Sequence, residues 1–390
     1  MLLTFERLSF EFVHYKCVST DKQSLSVLQC SNNLFKESIM IRIGIIGCGY
    51  WGINYVRVFS ELPDVIVSRV CDTSDERLQK MHRKFPYVFP TKLMDELLAD
   101  DEVDAVVVAT EASTHHDITK ACLLNNKHVL VEKPLTTTVE EGEELVKIAE
   151  ERNLKLMVGH TFLYNPSIRK IKEYMSDDDI GSIYYMKATR THLGLIRQDV
   201  NAIWDLAPHD ISIFSFLLNT QPLWVSAVGG NYLNGRPDVG FLTLGYPQNI
   251  LGHIHVSWIN SNKVREISVV GSNKRIVFND LNSMESVRIF EKGAAMTGEA
   301  DSFGEFQLQL RDGDILSPRI NTSEPLKNQC SHFVSCVSND HFPLTDGTNG
   351  LNVIRVMEAI NQSLEKRGAP VDISTDISSR KKEVPMEVTI

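Results

Sequence analysis

The stretch Met40 to Gly52, M-I-R-I-G-I-I-G-C-G-Y-W-G, decides the fold of this chain. Its isoleucines form a short β-branched run of strand length, which then breaks into a turn with the pattern G-x-G-x-x-G. The residues that follow, N-Y-V-R-V-F, have helical spacing. A strand, a glycine turn and a helix in this order predict dinucleotide binding. The reason is that a helix N-terminus offers free N–H donors and a partial positive charge to phosphates.

Each glycine of the turn has a separate predicted role. Gly47 allows the tight turn, Gly49 lets the backbone approach a pyrophosphate, and Gly52 lets the helix pack closely on the strand. Tyr50 and Trp51 occupy the variable positions between the second and third glycines. We therefore assign all five residues to the predicted cofactor-binding set.

A second apolar run, from Val65 to Val70, ends in Cys71 and Asp72, and Asp72 lies 20 residues beyond Gly52. A carboxylate in this position accepts both ribose hydroxyls of an adenosine and repels a 2′-phosphate. The sequence therefore predicts NAD rather than NADP as the cofactor.

The composition is that of an ordinary soluble protein with room for two domains, at 390 residues, 43% hydrophobic and 23% charged. The net charge of −10 gives no reason to expect nucleic acid or an anionic membrane as a partner. An anionic substrate must therefore meet a local basic cluster. Seven cysteines without C-x-x-C pairs indicate buried thiols in a reducing, cytoplasmic compartment. No apolar run approaches membrane-spanning length.

The first 39 residues stand apart from the rest. Charged residues interrupt their apolar positions, so they lack the continuous core of a signal peptide. Met40 directly precedes the first strand, where a dinucleotide-binding chain naturally begins. We expect residues 1–39 to be an upstream extension, for example from a misassigned start codon, with no part in the chemistry.

Two fold types follow each other along the remaining chain. Strand and helix patterns alternate over residues 40–158, including the apolar run D-A-V-V-V-A-T, which predicts an α/β, NAD-binding Rossmann domain with a doubly wound parallel sheet. Consecutive strand-like runs between Leu223 and Phe278 predict an α+β domain over 159–390 with a large, mostly antiparallel sheet. We expect 291–325 to be a long flexible loop or an irregular excursion, and two helices, about 326–338 and 347–367, to close the chain.

Two short motifs carry residues suited to chemistry. Lys133, in Glu132-Lys133-Pro134, follows a buried strand at its C-terminal end, where open α/β sheets bind ligands. In W-D-L-A-P-H-D, Pro208 belongs in the first turn of a helix, so we expect Asp205 or a near neighbour to be the N-cap and to share a face with His209. Alone, the first motif fits a surface lysine equally well, and an isolated D-x-x-x-H more often indicates a capping aspartate with a structural histidine.

Together with the nucleotide site, the motifs acquire a common meaning. Oxidising an alcohol requires a hydride acceptor, a base for the hydroxyl proton and a cation for the developing alkoxide. Histidine titrates near neutral pH and suits the proton role. Lysine supplies positive charge, and aspartate orients either group.

These motifs resemble the Gfo/Idh/MocA sugar oxidoreductases, and the resemblance covers Met40 to about Asp372. It is carried by G-C-G-Y-W-G, A-T-E-A-S-T-H-H, V-E-K-P-L and D-L-A-P-H-D. It implies that Lys133, Asp205 and His209 are the catalytic group. It further implies cofactor contacts from Lys133 itself and from Thr110, His115 and Glu132. The family's usual A-T-P is here Ala109-Thr110-Glu111, without the proline.

Two further segments narrow the resemblance to family members that oxidise carbon 3 of UDP-N-acetylglucosamine or its uronate. The segments are G-H-T-F-L-Y-N-P (159–166) and R-Q-D-V-N-A-I-W-D (197–205). The likeness implies a UDP-sugar substrate, amino-sugar biosynthesis for a polysaccharide, and a pyridoxal-phosphate aminotransferase as pathway partner. The substrate set that we assign comprises Tyr164, Asn165, Arg169, Arg197, Asn201 and His209. Arginine grips diphosphates and carboxylates bidentately, although both arginines also fit plain surface charge.

Other interpretations stay open at this stage. The same fold oxidises free sugars, inositols or other polyols in related enzymes, and an NAD-binding sensor without catalysis is a second alternative. His253 and His255 alternate on a predicted strand, but no acid or cysteine lies at ligand spacing, so we predict no metal site. The partly apolar second sheet favours a homodimer or homotetramer.

Overall fold

The computed structural model describes residues 40–176, 179–194, 196–197, 200–233, 235–297 and 307–373. The expected N-terminal extension, residues 1–39, lies outside this part of the chain. Among the described residues, no helix combines the length and the apolar character needed to cross a bilayer.

The first sheet has six parallel strands in the order β3-β2-β1-β4-β5-β6. This is the doubly wound order that places a ligand crevice beside β1 and β4. The strands are β1 Ile41–Ile46, β2 Val65–Cys71, β3 Phe89–Thr91, β4 Ala105–Val108, β5 His128–Val131 and β6 Leu156–Val158. The helices among them are α1 Tyr50–Ser60, α2 Asp75–Lys84, α3 Met94–Leu98, α4 His115–Leu124 and α5 Val139–Glu151. The sequence prediction of this sheet is confirmed.

Hydrophobic burial on both faces explains why the sequence forms this sheet. All four residues of β4 are buried, and so are Val129 to Val131 of β5. Burying one such β-branched side chain contributes about 1.5–3 kcal/mol relative to leaving it exposed. The C-terminal ends of these strands therefore form a rigid edge.

The second sheet has nine strands in the order β16-β13-β12-β11-β7-β10-β9-β8-β17. Strands β7 and β10 are parallel and the other pairs antiparallel, which confirms the mostly antiparallel prediction. Its strands are β7 Ile183–Leu193, β8 Trp224–Gly230, β9 Val239–Gly245, β10 Leu251–Ser257, β11 Ile259–Gly271, β12 Arg275–Asn279, β13 Val287–Phe290, β16 Ile315–Leu316 and β17 Val371–Asp372. The division of the chain at residues 158 and 159 stays a prediction.

The expected long loop at 291–325 is wrong for the described residues. Strands β14 (Gly293–Thr297) and β15 (Gln307–Arg311) pair with each other, and β16 extends the nine-stranded sheet. The apolar and polar residues of Q-L-Q-L-R alternate, which is the period of a strand. The strand pattern was missed in the sequence because both runs are short and have glycines near their ends.

Four α-helices complete the fold of the described residues, and the last one joins the two sheets. They are α6 Pro166–Ser176, α7 Ala202–Leu218, α8 Pro325–Asn339 and α9 Gly347–Glu365. Helix α9 packs on β6 of the first sheet and on β8 of the second. Just before it, the carbonyl of Thr345 accepts a 2.7 Å hydrogen bond from the N–H of Val158. The C-terminal edge of the first sheet is thereby held against the second.

Candidate active site

In the glycine turn, the first and third glycines leave no room for a side chain, whereas the second glycine does. Gly47 has a φ of 99°, and a Cβ there would lie 2.5 Å from the carbonyl oxygen of Ala109. A Cβ on Gly52 would overlap the carbonyl oxygen of Gly47. A Cβ on Gly49 would have no atom of the described residues within 4 Å. The backbone of Gly49 is therefore open to a pyrophosphate at the start of α1, which is the fit that a dinucleotide requires.

Tyr50 and Trp51 begin helix α1 and stand mostly in solvent. Their side chains are 78% and 42% exposed, and the rings meet edge to face at 5.5 Å. The backbone N–H groups of both residues belong to the first turn of α1, directly after its N-cap Gly49. Contact of the two side chains with the cofactor stays a prediction.

Asp72 lies buried beneath the glycine turn. Its Oδ2 accepts a 2.7 Å hydrogen bond from the N–H of Cys48, and its Oδ1 accepts one of 2.8 Å from the N–H of Ser74. Each oxygen keeps a further lone pair, so ribose hydroxyls remain possible partners. Burial, followed by the charge of Asp72, raises the pKa of the Cys48 thiol to about 12, which excludes a thiolate nucleophile.

His115 ties together the two turns that the sequence assigned to the cofactor. The ring is 1% exposed; Nδ1 lies 2.6 Å from the carbonyl oxygen of Pro134, and Nε2 lies 3.3 Å from that of Thr110. Burial lowers its pKa, so the ring is neutral and donates one hydrogen bond. His115 thus supports both turns, and its direct contact with the cofactor stays a prediction.

Glu132 belongs to a buried polar network that crosses from one sheet to helix α8. Its Oε1 accepts a 2.7 Å hydrogen bond from the Tyr55 hydroxyl, which in turn accepts one of 3.0 Å from Nε2 of Gln329. The hydroxyl of Thr161 donates to the other end of Gln329 at 2.6 Å. Burial raises the pKa of Glu132. This network fixes the strand end from which Lys133 projects.

Lys133 and Asp205 meet in a largely buried ion pair. The Nζ of Lys133, whose side chain is 9% exposed, donates to the carbonyl oxygen of Asp205 at 2.8 Å and to its Oδ1 at 3.3 Å. Arg197 donates to the same Oδ1 at 3.0 Å, and the indole N–H of Trp258 donates to Oδ2 at 3.4 Å. Burial raises the pKa of Asp205, but the charges of Lys133 and Arg197 outweigh it and lower the pKa. Asp205 is therefore a carboxylate that orients Lys133.

Helix α7 begins earlier than the proline suggested. Asn201 is its N-cap, and the Asn201 side chain accepts a 2.9 Å hydrogen bond from the N–H of Trp204. The expected cap at Asp205 is thus corrected to Asn201, and Pro208 lies inside the helix rather than in its first turn. Since Pro208 has no N–H, the carbonyl of Trp204 loses its helical partner. Asp205 and His209 still lie one turn apart.

His209 is held as a neutral imidazole. Its ring packs edge-on against Phe162 at 5.1 Å, and its buried Nδ1 has no hydrogen-bond partner in the described part of the chain. Burial first, then the charges of Lys133 and Arg190, hold its pKa well below the ordinary value. A neutral histidine is the form that accepts a proton. The sequence-predicted trio is therefore brought together at one place.

Two predicted substrate residues instead stabilise the segment before α6. Tyr164 is 3% exposed, and its hydroxyl lies 3.1 Å from Oγ1 of Thr345. The Oδ1 of Asn165 accepts a 2.8 Å hydrogen bond from the N–H of Ser167, as expected for the start of α6. Their side chains are used inside the fold. Contact of Tyr164 with the substrate stays a prediction.

Arg169 is likewise engaged within the protein. Its Nε donates to the carbonyl oxygen of Leu163 at 2.7 Å, and its guanidinium lies 5.6 Å from the ring centroids of Tyr164 and Phe216. Burial lowers its pKa. Of the arginines assigned to the substrate, Arg197 is the one that contacts Asp205.

An ion pair that sequence reasoning missed lies behind His209. Arg190 of β7 makes two hydrogen bonds to Asp210, at 2.7 and 3.0 Å, and both side chains are buried. The guanidinium also lies 4.4 Å from the ring centroid of Phe162. Asp210 immediately follows His209 in the motif D-L-A-P-H-D, and this position was the sequence signal for the ion pair. The pair fixes Phe162 and, through it, His209.

His160 is a second missed residue. It follows β6 at the same sheet edge as Lys133; it is 1% exposed, and neither ring nitrogen has a hydrogen-bond partner among the described residues. Burial, assisted by the charge of Lys133, lowers its pKa to about 3. A strand end followed by glycine and histidine was the sequence signal for it.

We expect His160 to make folding sensitive to acid. Because its folded pKa lies below the unfolded value of about 6.5, the unfolded state gains a proton first, and stability is lost as the pH falls from 6.5 toward 3. Between pH 7 and pH 5 this amounts to about 2 kcal/mol. Chemical denaturation of His160→Leu should show a correspondingly smaller loss between these pH values. His341→Gln, at an exposed histidine, is the control and should behave as the wild type does; equal acid sensitivity of His160→Leu and wild type would contradict the assignment.

Comparison with known proteins gives these sites a context. Residues 41–160 match the family model GFO_IDH_MocA, described as an oxidoreductase family with an NAD-binding Rossmann fold. Residues 168–277 match the GFO/IDH/MocA C-terminal domain. Within the described residues, no group of three or more histidine, cysteine or acidic side chains is arranged to hold a metal ion.

The individual relatives have low sequence identity to this chain, but each matches it over almost the whole length of the relative. The UDP-N-acetylglucosamine 3-dehydrogenase of Acidithiobacillus ferrooxidans is 25% identical over 84% of this chain and 98% of its own. The myo-inositol 2-dehydrogenase of Thermotoga maritima is 24% identical over 84% and 97%. The crystal structure of the WlbA dehydrogenase from Bordetella pertussis, in complex with NADH and UDP-GlcNAcA, superposes with a TM-score of 0.70 at 21% identity and covers 86% and 99%.

Proposed function

Because the chain belongs to the GFO/IDH/MocA oxidoreductase family, with an NAD-binding Rossmann fold, we propose that it oxidises a hydroxyl of a UDP-N-acetylhexosamine, or of its uronate, to a ketone. The observation that carries the proposal is the grouping of a buried lysine, a carboxylate and a neutral histidine. Lys133 contacts Asp205 at 3.3 Å, and His209 lies one helical turn further on. The oxidised position is carbon 3.

The residues present fit the cofactor. The open backbone at Gly49 and the N–H groups that begin α1 would hold the pyrophosphate, and Asp72 would accept the adenosine ribose hydroxyls. NAD, when bound, supplies the acceptor for the hydride that leaves the sugar carbon.

The chain's own groups handle the proton and the charge on oxygen. Because Nδ1 of His209 is buried, Nε2 is the nitrogen that takes the hydroxyl proton. The ammonium of Lys133 stabilises the negative charge that develops on the same oxygen. Asp205 holds the ammonium in place, and Arg197 and Trp258 hold Asp205.

Two observations support a UDP-sugar as the substrate class. The segments 159–166 and 197–205 resemble the nucleotide-sugar 3-dehydrogenases. One relative is a UDP-N-acetylglucosamine 3-dehydrogenase, and its match to this chain covers 98% of its length. The similarity to a myo-inositol 2-dehydrogenase supports the alternative, a free sugar or polyol. Both substrates use the same catalytic group.

A single-turnover screen separates these substrates. The protein is stripped of bound nucleotide, refilled with NAD and mixed with UDP-N-acetylglucosamine, its uronate, free sugars or inositols. We expect nicotinamide reduction and a product lighter by two hydrogens with a UDP-sugar only. Reduction with free polyols only would keep the mechanism and overturn the substrate. No reduction by any compound, with NAD still bound, would favour an NAD-sensing protein.

The open face of the second sheet supports a homo-oligomer. Val228, Phe241 and His255 are aligned across β8, β9 and β10, and the last two rings stack at 4.5 Å. Tyr185 and Leu251 pair beside them and are 47% and 42% exposed. An apolar face of this kind suits contact with a second copy. Light scattering on the purified protein measures the size of the assembly, and a pathway aminotransferase remains a proposed partner in the cytoplasm.

A further inference from the structure

Strand β7 changes from apolar to basic toward its C-terminal end. Met186 and Ala188 are fully buried on one face, and the next two residues of that face are Arg190 and His192. The ion pair between Arg190 and Asp210 of α7 shows that this is the helix-covered face. The basic end of the strand therefore points toward the helix that carries the catalytic residues.

The neighbouring strand β11 shows the same change. Val269 and Ile267 are buried, and the next residue on that face, Arg265, lies directly opposite Arg190. Paired residues of antiparallel strands point to the same face. Lys263 lies two residues before Arg265, at the exposed end of the strand. Two adjacent strands thus deliver basic side chains to one corner of the sheet.

Electrostatic contacts place this corner beside the catalytic group. Burial lowers the pKa of His192; the charge of Asp205 opposes this shift, and those of Arg265 and Lys263 add to it. Arg265 also contributes to the low pKa of His209. Arg265 is therefore within electrostatic reach of His209, and His192 is within electrostatic reach of Asp205 and Lys263.

The corner is suited to an anion. The side chain of Arg265 is 41% exposed, although its NH1 contacts Oδ2 of Asp280 at 3.3 Å. A guanidinium has five N–H donors, so Arg265 retains donors for a second partner. In a chain of net charge −10, a local basic cluster is what an anionic substrate requires.

Resting on the proposed function, we propose that His192, Lys263 and Arg265 bind the diphosphate of the nucleotide-sugar substrate. The sugar ring then lies between this cluster and the pair Lys133 and His209. Arginine and lysine contact the diphosphate oxygens by charge-assisted hydrogen bonds. The cluster holds the substrate, and the chemical step is left to the catalytic group.

The test is steady-state kinetics of Arg265→Met and Lys263→Met with the UDP-sugar that the wild-type protein oxidises. Each substitution should raise KM about 10-fold to 100-fold, as expected for a lost charge-assisted contact, and leave kcat within about threefold because no reacting atom is touched. Arg265→Lys should restore part of the affinity. Arg275→Met is the matched control. Arg275 is an exposed arginine of β12 that pairs with Val270, on the face of the sheet opposite to that of Arg265.

The outcomes separate the two proposals. Normal oxidation of the UDP-sugar with an unchanged KM in both variants overturns the diphosphate site alone. A raised KM for the uronate, with no change for UDP-N-acetylglucosamine, overturns it in favour of a carboxylate site. If the wild-type protein oxidises no UDP-sugar, the proposed function fails and the diphosphate site fails with it. Thermal unfolding of each variant shows whether a raised KM reflects misfolding.

Discussion

Lys133→Ala should lower kcat by about 10²–10³-fold, the loss that follows removal of one group stabilising an oxyanion. The ammonium is fixed by Asp205 at 2.8 and 3.3 Å and has little access to solvent. Without it, the negative charge that develops on the substrate oxygen meets no cation at that position. Stopped-flow absorbance of the reduced nicotinamide measures the rate of the first turnover, which excludes effects of product release.

Three further measurements make this prediction specific. Lys120→Met removes a lysine from a surface ion pair with Glu144 and should leave the rate unchanged. Lys133→Arg keeps the charge but not the compact ammonium, so it should not restore the rate. Added ethylamine should raise the rate of Lys133→Ala. Turnover of Lys133→Ala within about threefold of wild type would contradict the assignment of Lys133.

Gly52→Ala should destabilise the fold, whereas Gly49→Ala should weaken the binding of NAD. A methyl group on Gly52 overlaps the carbonyl oxygen of Gly47, so the backbone must move, at a cost of about 3 kcal/mol. Differential scanning calorimetry should show a Tm lower by roughly 6–12 °C. A methyl group on Gly49 meets no atom of the described residues, and the φ of −72° suits alanine.

The two glycine variants are controls for each other. Gly49→Ala should unfold within a few degrees of wild type in the absence of NAD. Its methyl group occupies the space for the pyrophosphate, so calorimetric titration should give a Kd for NAD raised about 10-fold to 100-fold, or 1.4–2.7 kcal/mol. If Gly49→Ala bound NAD as tightly as wild type, the phosphate path proposed over Gly49 would be wrong.

Local patterns were enough to predict the parts of the site that one short segment specifies. The glycine turn of Met40 to Gly52 contains its own strand, turn and helix start, so its geometry depends little on distant residues. The motif from Asp205 to His209 likewise places both side chains on one helical face, whichever residue caps the helix. The error about the cap arose because Pro208 is tolerated here in the seventh position of the helix. Packing against a sheet overrides such local preferences.

Long-range pairing limited what the sequence could show. Arg190 and Asp210 are 20 residues apart, and only the packing of α7 on β7 brings them together. Arg265 reaches the same corner because β11 pairs with β7. Strand pairing is set by the whole hydrophobic pattern, so these partners emerge only from the three-dimensional structure.

Burial was the other quantity that motifs did not give. Tyr164 and Arg169 looked available for a substrate, but Tyr164 is buried before α6 and Arg169, in α6, donates a hydrogen bond to the carbonyl oxygen of Leu163. His115 and His160 follow strand ends at the ligand-binding edge, and each is 1% exposed. A residue at such an edge either faces the ligand or supports the turn beneath it. The sequence position does not distinguish these two cases.

In the proposed reaction, a hydride passes from a sugar carbon to NAD while His209 takes the hydroxyl proton. The most direct test is a single turnover of the NAD-loaded protein with UDP-N-acetylglucosamine that carries deuterium on carbon 3. We predict that the deuterium appears in the reduced nicotinamide, that the product is the 3-keto sugar, and that the rate is lower than with the unlabelled sugar. Reduced nicotinamide without deuterium, or a product that retains it, would contradict the account.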